Sequence, residues 1–176
     1  MLCLPFKEGV FDYAYSVGVL HHLPDPHRGF QQLVRAIKPG CYLSTWVYGL
    51  ENNEWIVRYV DPFRKKVSNK LPRPVLRGIS KVVAGLLYAA IHGFYRPWQR
   101  LFPNVKLPLQ AYLLYIARFP HRELEVIVFD QLNPQIAFYL PRQTVETWFE
   151  ELEETVIGWH NENSWRGFAR KPELES

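Results

Sequence analysis

The order of hydrophobic periods across residues 11–48 constrains this 176-residue chain more than any other feature in it. Phe11 to Ser16 is a short, turn-bounded run rich in aromatic residues and reads as a strand. Gly18 follows where the chain must turn. Asp25 then suits a helix N-cap and Pro26 its first position, where no amide donor is missed. Phe30, Leu33, Val34 and Ile37 recur at i, i+3, i+4 and i+7 and give one apolar helical face. Lys38-Pro39-Gly40 is expected to stop that helix, with the Lys38 cation near the negative end of the dipole. Tyr42 to Val47 reads as a second strand. Strand, loop, helix and strand in this order predict one crossover unit of a parallel sheet, and with it an α/β fold.

The run LPFKEGVFDYAYSVGVLHHLPDPHRGFQQLVRAIKPGCYLSTWVYG, residues 4–49, resembles the second half of a class I S-adenosylmethionine-dependent methyltransferase core. It is similar to the subgroup carrying LPF, FD, VLHH, DP and KPGG in that order. The resemblance implies a partial Rossmann-like methyltransferase fold, with the equivalents of strands 4–7 and a mostly helical insertion. It implies S-adenosylmethionine as cofactor, with Leu4, Pro5 and Phe6 beside the adenine and Ser16, Val17, Gly18 and His21 lining the methionine side. Trp46 and Tyr48, at the tip of the second strand, would border the acceptor pocket. His21 and His22 are candidate general bases, because an imidazole titrates near neutrality; the competing reading is histidines that order a loop. As metal ligands they fit poorly, since adjacent histidines on a loop point apart and no nearby carboxylate or Cys completes a site. Cys41 stands where the subgroup has the second glycine of KPGG, which raises a question of backbone strain.

The family's glycine-rich loop has no counterpart in this sequence. Its ten glycines lie at 9, 18, 29, 40, 49, 78, 85, 93, 158 and 167, and no two form GxG. The acidic residue that faces the adenine would fall just before the position matching Met1, so the sequence is expected to begin at the midpoint of the fold. A missing N-terminal half or an oligomer partner would then complete it. Met1 to Leu4 is followed at once by Pro5 and charges, unlike the basic start and long apolar core of a secretory leader. Cys3 and Cys41 are too few for a disulfide framework, and a reducing, cytoplasmic setting is expected.

Residues 1–50 read as the first part of the core, 51–132 as a helical cap insertion, 133–172 as the returning last helix and strand hairpin, and 173–176 as a tail. The cap is strongly basic. From Trp55 to Lys106 eleven Lys and Arg face Asp61 alone, a net +10, against +4 for the whole chain. Such asymmetry attracts anions. Val75 to Tyr95 is its longest helical stretch, with Arg77, Lys81, Tyr88, His92 and Arg96 along one flank. Three readings follow: a buried cap helix, a helix lying on a membrane surface, or a cover for a lipophilic acceptor. The polar flank argues against a membrane span. No nucleic-acid motif accompanies the basic and aromatic residues, so nucleic acid is not an expected partner.

His121 to Leu132 reads as a helix leading into FDQLNP, and Gln143 to Leu152 as an amphipathic helix. Thr155 to His160 and Ser164 to Arg170 then form a hairpin around Asn161-Glu162-Asn163. The implied activity is methyl transfer to a small acceptor, lipophilic or anionic. The alternative is a catalytically silent half-domain acting as a binding or membrane-surface module.

Overall fold

The computed structural model describes residues 3–173 and divides into two units, Met1–Arg58 with Ile136–Ser176, and Tyr59–Gln135. The first unit opens with strand β1, Phe11–Val17, a 3-10 turn at Leu20–His22 and helix α1, Pro26–Ala36. Asp25 caps α1 as its sequence suggests: its carboxylate accepts the Arg28 N–H at 2.9 Å, and Pro26 takes the first turn. The helix ends earlier than the apolar period implies. Ile37 is fully buried, but as the first residue of strand β2, Ile37–Tyr48.

Lys38-Pro39-Gly40 therefore does not cap a helix from outside; it lies inside β2. Register explains this. Phe11 pairs with Ile37 and Tyr13 with Tyr42, so β2 has three more residues than β1 between these two pairs. The excess bulges toward the chain's C-terminal segment, where Gly40 N–H donates to the Lys171 carbonyl at 2.9 Å and Lys171 N–H to the Cys41 carbonyl at 2.8 Å. Gly40 adopts φ +74°, whereas Cys41 is not among the positive-φ residues, so replacing the second glycine by Cys41 strains nothing. Lys38 pairs instead with Asp12 across the strands, Nζ to carboxylate 2.7 Å.

The second unit is helical: α2 (Asp61–Lys66), α3 (Arg73–Ala90), α4 (Arg96–Leu101), α5 (Gln110–Ile116) and α6 (His121–Leu132). A π turn at Ile91–Tyr95 joins α3 to α4, making one continuous 29-residue helix, Arg73–Leu101. Its buried stripe of Leu76, Ala84 and Ile91 packs with Leu113, Leu124 and Val128. Arg64 is buried and tied to Asp61.

The chain returns to the first unit with α7, Arg142–Trp148, shorter than the amphipathic period predicts, and the hairpin β3 (Glu153–His160) and β4 (Ser164–Arg170). Asn161 and Glu162 take positive φ at the hairpin turn. The sheet order is β1-β2-β4-β3, with β1 parallel to β2 and both other pairs antiparallel. This is a mixed α/β unit. Helices α1 and α7 cover one face, where Phe30, Leu43, Val47, Val145 and Phe149 share a core. On the opposite face Tyr13, Tyr15 and Val17 are exposed, and β1 is an edge strand.

Candidate functional site

Parallel strands in an α/β sheet gather their loops at the carboxyl ends, and Ser16, Val17, Gly18, His21, His22, Trp46 and Tyr48 lie there. Ser16 is buried and Val17 exposed at the end of β1. Gly18 takes φ +73°, which a side chain would resist, and its N–H donates to the Trp46 carbonyl at 3.1 Å. The chain then tightens into the 3-10 turn, closed by His22 N–H to the Val19 carbonyl and Leu23 N–H to the Leu20 carbonyl. This turn brings both histidines over the tip of β2.

His21 is fully buried. Its ring lies 4.0 Å from Tyr48 and 4.3 Å from His22, centroid to centroid, and edge-on to Trp46 at 6.0 Å. The Tyr48 backbone N–H donates to Nδ1 at 3.4 Å, which puts the proton of neutral His21 on Nε2. That Nε2 is buried and finds no hydrogen-bond partner among the described residues. Burial pushes the His21 pKa down to about 3, with the neighbouring His22 adding to the effect. Such an imidazole stays neutral near pH 7, with its single ring proton on Nε2, and resists taking a second. Enclosed by the rings of His22, Trp46 and Tyr48, His21 has the surroundings of the loop-ordering alternative.

His22 is only partly buried. Its Nδ1 lies 2.7 Å from the Ile136 carbonyl and must donate to it, which leaves the Nε2 lone pair available. Next to it the Phe138 N–H donates to the His21 carbonyl at 2.8 Å, and Leu140 N–H to the Tyr48 carbonyl at 2.9 Å. Tyr139 stacks on Tyr48 at 5.4 Å and 15°. The segment 136–140 is thus a third wall of the cluster. Sequence reasoning missed Tyr139, since no local pattern ties it to a strand tip nearly a hundred residues earlier.

Phe6 does not join this cluster. Its ring meets Phe11 edge-on at 5.0 Å, at the amino end of β1, and its carbonyl accepts from Arg35 at 3.3 Å. Gly9 (φ +64°) and Val10 bind the Arg35 and Ala36 carbonyls, so the approach to β1 is pinned beside the end of α1. Leu4 and Pro5 sit on the same approach, Leu4 half-buried and Pro5 exposed.

A hollow of about 570 Å³ opens on the exposed sheet face, lined by Trp46, Val156, His160, Arg166 and Phe168 as well as Val17. It reaches the cluster through Val17 and Trp46. No group of three His, Cys, Asp or Glu among the described residues is placed to hold a metal ion.

Residues 1–45, about a quarter of the chain, match the model of a methyltransferase domain family. An uncharacterized protein of Synechococcus sp. is 50% identical over 40 residues, 23% of this chain and 10% of its own length. Among solved structures, a SAM-dependent methyltransferase from Thermotoga maritima aligns over 97% of this chain and 60% of its own, at 13% identity and TM-score 0.48. One from Methanosarcina mazei aligns over 98% and 65%, at 14% identity and TM-score 0.47. The chain therefore spans a tenth of the curated relative's length and less than two thirds of either solved chain.

Proposed function

We propose that this chain, whose first 45 residues match a methyltransferase-domain model, forms the rear wall of an S-adenosylmethionine pocket in an enzyme that methylates a small acceptor. The observation that carries the reading is the crossover β1-α1-β2: it sets Ser16, Val17 and Gly18 at the carboxyl tip of a parallel strand, within that family segment. When bound, S-adenosylmethionine supplies an electrophilic methyl carbon on a sulfonium. Transfer of this kind depends on holding the acceptor in line and dry, more than on a dense catalytic motif.

The residues present fit one side of such a pocket. Gly18 keeps the strand tip low, Val17 offers an exposed apolar wall, and Trp46 provides aromatic surface for an acceptor, with Tyr48, held by His21 and Tyr139, beside it. His22, with Nδ1–H committed to Ile136, presents Nε2 to take the proton that the acceptor nucleophile gives up as its new bond to carbon forms. No GxG lies in this sequence, so the wall against the cofactor's adenosine comes from polypeptide outside it, as a preceding half or a partner chain. A lipophilic acceptor bearing negative charge is taken from sequence composition alone, eleven Lys and Arg against Asp61 among apolar residues from Trp55 to Lys106.

A second reading has a specific observation in its favour. With β1 open at the edge and Tyr13, Tyr15 and Val17 exposed, the chain can act as a silent half-domain that binds a partner. Calorimetry with S-adenosylhomocysteine separates the two. The product of the complete gene is expected to bind and to transfer labelled methyl to an anionic amphiphile, and His22→Gln to slow transfer without weakening cofactor binding. This chain alone is expected to bind weakly or not at all. Absence of binding by the complete product would overturn the enzyme reading.

A further inference from the structure

The helix Arg73–Leu101 buries one stripe and leaves another bare. Val82 and Leu86 are 64% and 68% exposed, and Val75 precedes them by seven and eleven residues on the same face. Across the π turn the exposure continues with Phe94, Leu101 (71%) and Phe102. Only 22% of the most apolar stretch of this helix is buried. Apolar exposure on this scale, drawn out along one helix, marks a surface built to meet something.

Charge identifies what it meets. Residues 62–122 contain twelve Lys and Arg and not one Asp or Glu. Exposed Lys81 lies about 100° round the helix from Val82, at the edge of the bare stripe, whereas the Arg77 guanidinium turns away from it over the Phe129 ring at 5.8 Å. Arg73 stands before the stripe, and Arg100 and Lys106 flank its far end. There Phe94, Trp98 and Phe102 form a ladder of rings 5.8 and 4.7 Å apart, and the Trp98 indole N–H donates to the Val105 carbonyl at 3.2 Å. Apolar stripe, cationic flank and amphipathic aromatic end are the three requirements of a helix lying in a bilayer interface.

We infer that this face of the helical unit docks on an anionic membrane surface, with Val82, Leu86, Phe94 and Leu101 entering the acyl boundary and the exposed Lys81, Arg100 and Lys106 meeting lipid headgroups. The helix is long and apolar enough to cross a membrane by length and composition, but its back is occupied. Leu76, Ala84 and Ile91 pack against the helix carrying Glu123, Glu125 and Asp130, and spanning would draw those carboxylates into hydrocarbon. The helix therefore lies flat. The inference rests on this unit alone and does not depend on the methyl-transfer reading.

The test is co-sedimentation of the full chain with vesicles of phosphatidylcholine alone or with about 30% phosphatidylserine. Binding to the anionic vesicles is expected to be at least tenfold stronger and to fall steeply between roughly 0.1 and 0.5 M salt. The double variant Val82→Glu/Leu86→Glu changes only exposed side chains and is expected to lose binding about tenfold or more, with its circular dichroism and melting unchanged. Lys81→Glu/Arg100→Glu, at two exposed positions, should weaken binding to anionic vesicles and leave the residual binding to neutral ones alone. Equal binding to both vesicle types, or full binding by the Val82/Leu86 variant, overturns the inference. So does association that survives alkaline carbonate, which means spanning. A stable dimer that the Val82/Leu86 variant dissolves also overturns it, because a second copy then covers the face.

Discussion

The His21 ring lies over Tyr48, 4.0 Å between centroids, while the Tyr48 backbone N–H points at His21 Nδ1. Strand tip and loop are thereby locked through one neutral imidazole, and pH reads the lock. Burial lowers the His21 pKa to about 3 from an ordinary 6.5. The unfolded chain takes a proton below pH 6.5 that the folded chain refuses until about pH 3. Stability contributed by this group is therefore complete above 6.5 and lost as pH falls, at up to about 1.4 kcal/mol per pH unit. Urea midpoints of the wild type and of His21→Gln, taken at steps below neutrality, are expected to converge in acid, because the variant has nothing to titrate there.

Asp61 and Arg64 form the corresponding lock in the helical unit. Burial alone would raise the Asp61 pKa, but hydrogen bonds from Lys65 and Arg64 and the charges of both hold it below the ordinary carboxylate value. Its contribution is present above that ordinary value and is lost as pH falls through the lowered one, so this pair does not respond between pH 7 and 5. Asp61→Asn leaves a buried guanidinium without its counter-charge and is expected to cost about 3–5 kcal/mol. Asp61→Asn/Arg64→Met should recover most of that loss in thermal melts of the helical signal.

Gly167 sits under the Phe149 ring, so a Cβ there would run into Phe149, whose ring belongs to the core. Gly167→Ala is expected to destabilise by about 1–3 kcal/mol. Gly158→Ala, with nothing within 4 Å of its Cβ position, is the matched control on the neighbouring strand and should leave the urea midpoint nearly unchanged.

Tyr15 is 67% exposed on an edge strand. A lysine there blunts strand-to-strand association while leaving the buried face of β1 intact. Tyr15→Lys should lower concentration-dependent association in light scattering, and an unchanged profile would mean that this edge is not the adhesive one.

Much of this architecture was legible locally. Asp25-Pro26 marked the helix start because capping is a contact between near neighbours, and the hairpin showed through Asn161-Glu162-Asn163 for the same reason. The end of α1 misled, because the apolar period ran on through Ile37, whose burial comes from the sheet. Lys38-Pro39-Gly40 looked like a helix stop, yet pairing with Lys171, a partner 130 residues away, made it a bulge. At the site, the family resemblance singled out Ser16, Val17, Gly18, Trp46 and Tyr48, and the parallel pairing of β1 with β2 sets them at one end of the sheet. What sequence could not separate was His21 from His22. Their contrasting surroundings are set by Tyr48, Trp46 and Ile136, all distant in the chain.

The wide turn at Ile91–Tyr95 carries its own consequence. Arg96 N–H reaches back five residues to the Ile91 carbonyl, immediately before Pro97, whose ring lacks a donor and would crowd the carbonyl of Gly93 in a regular helix. One surplus residue in the winding advances all that follows by about 100° around the axis. Removing a single residue there would regularise the coil and swing Trp98 and Arg100 to a different compass bearing. The insertion thus works as a phase shifter: a silent change of length, with no altered side chain, would decide which way the aromatic end of the rod looks.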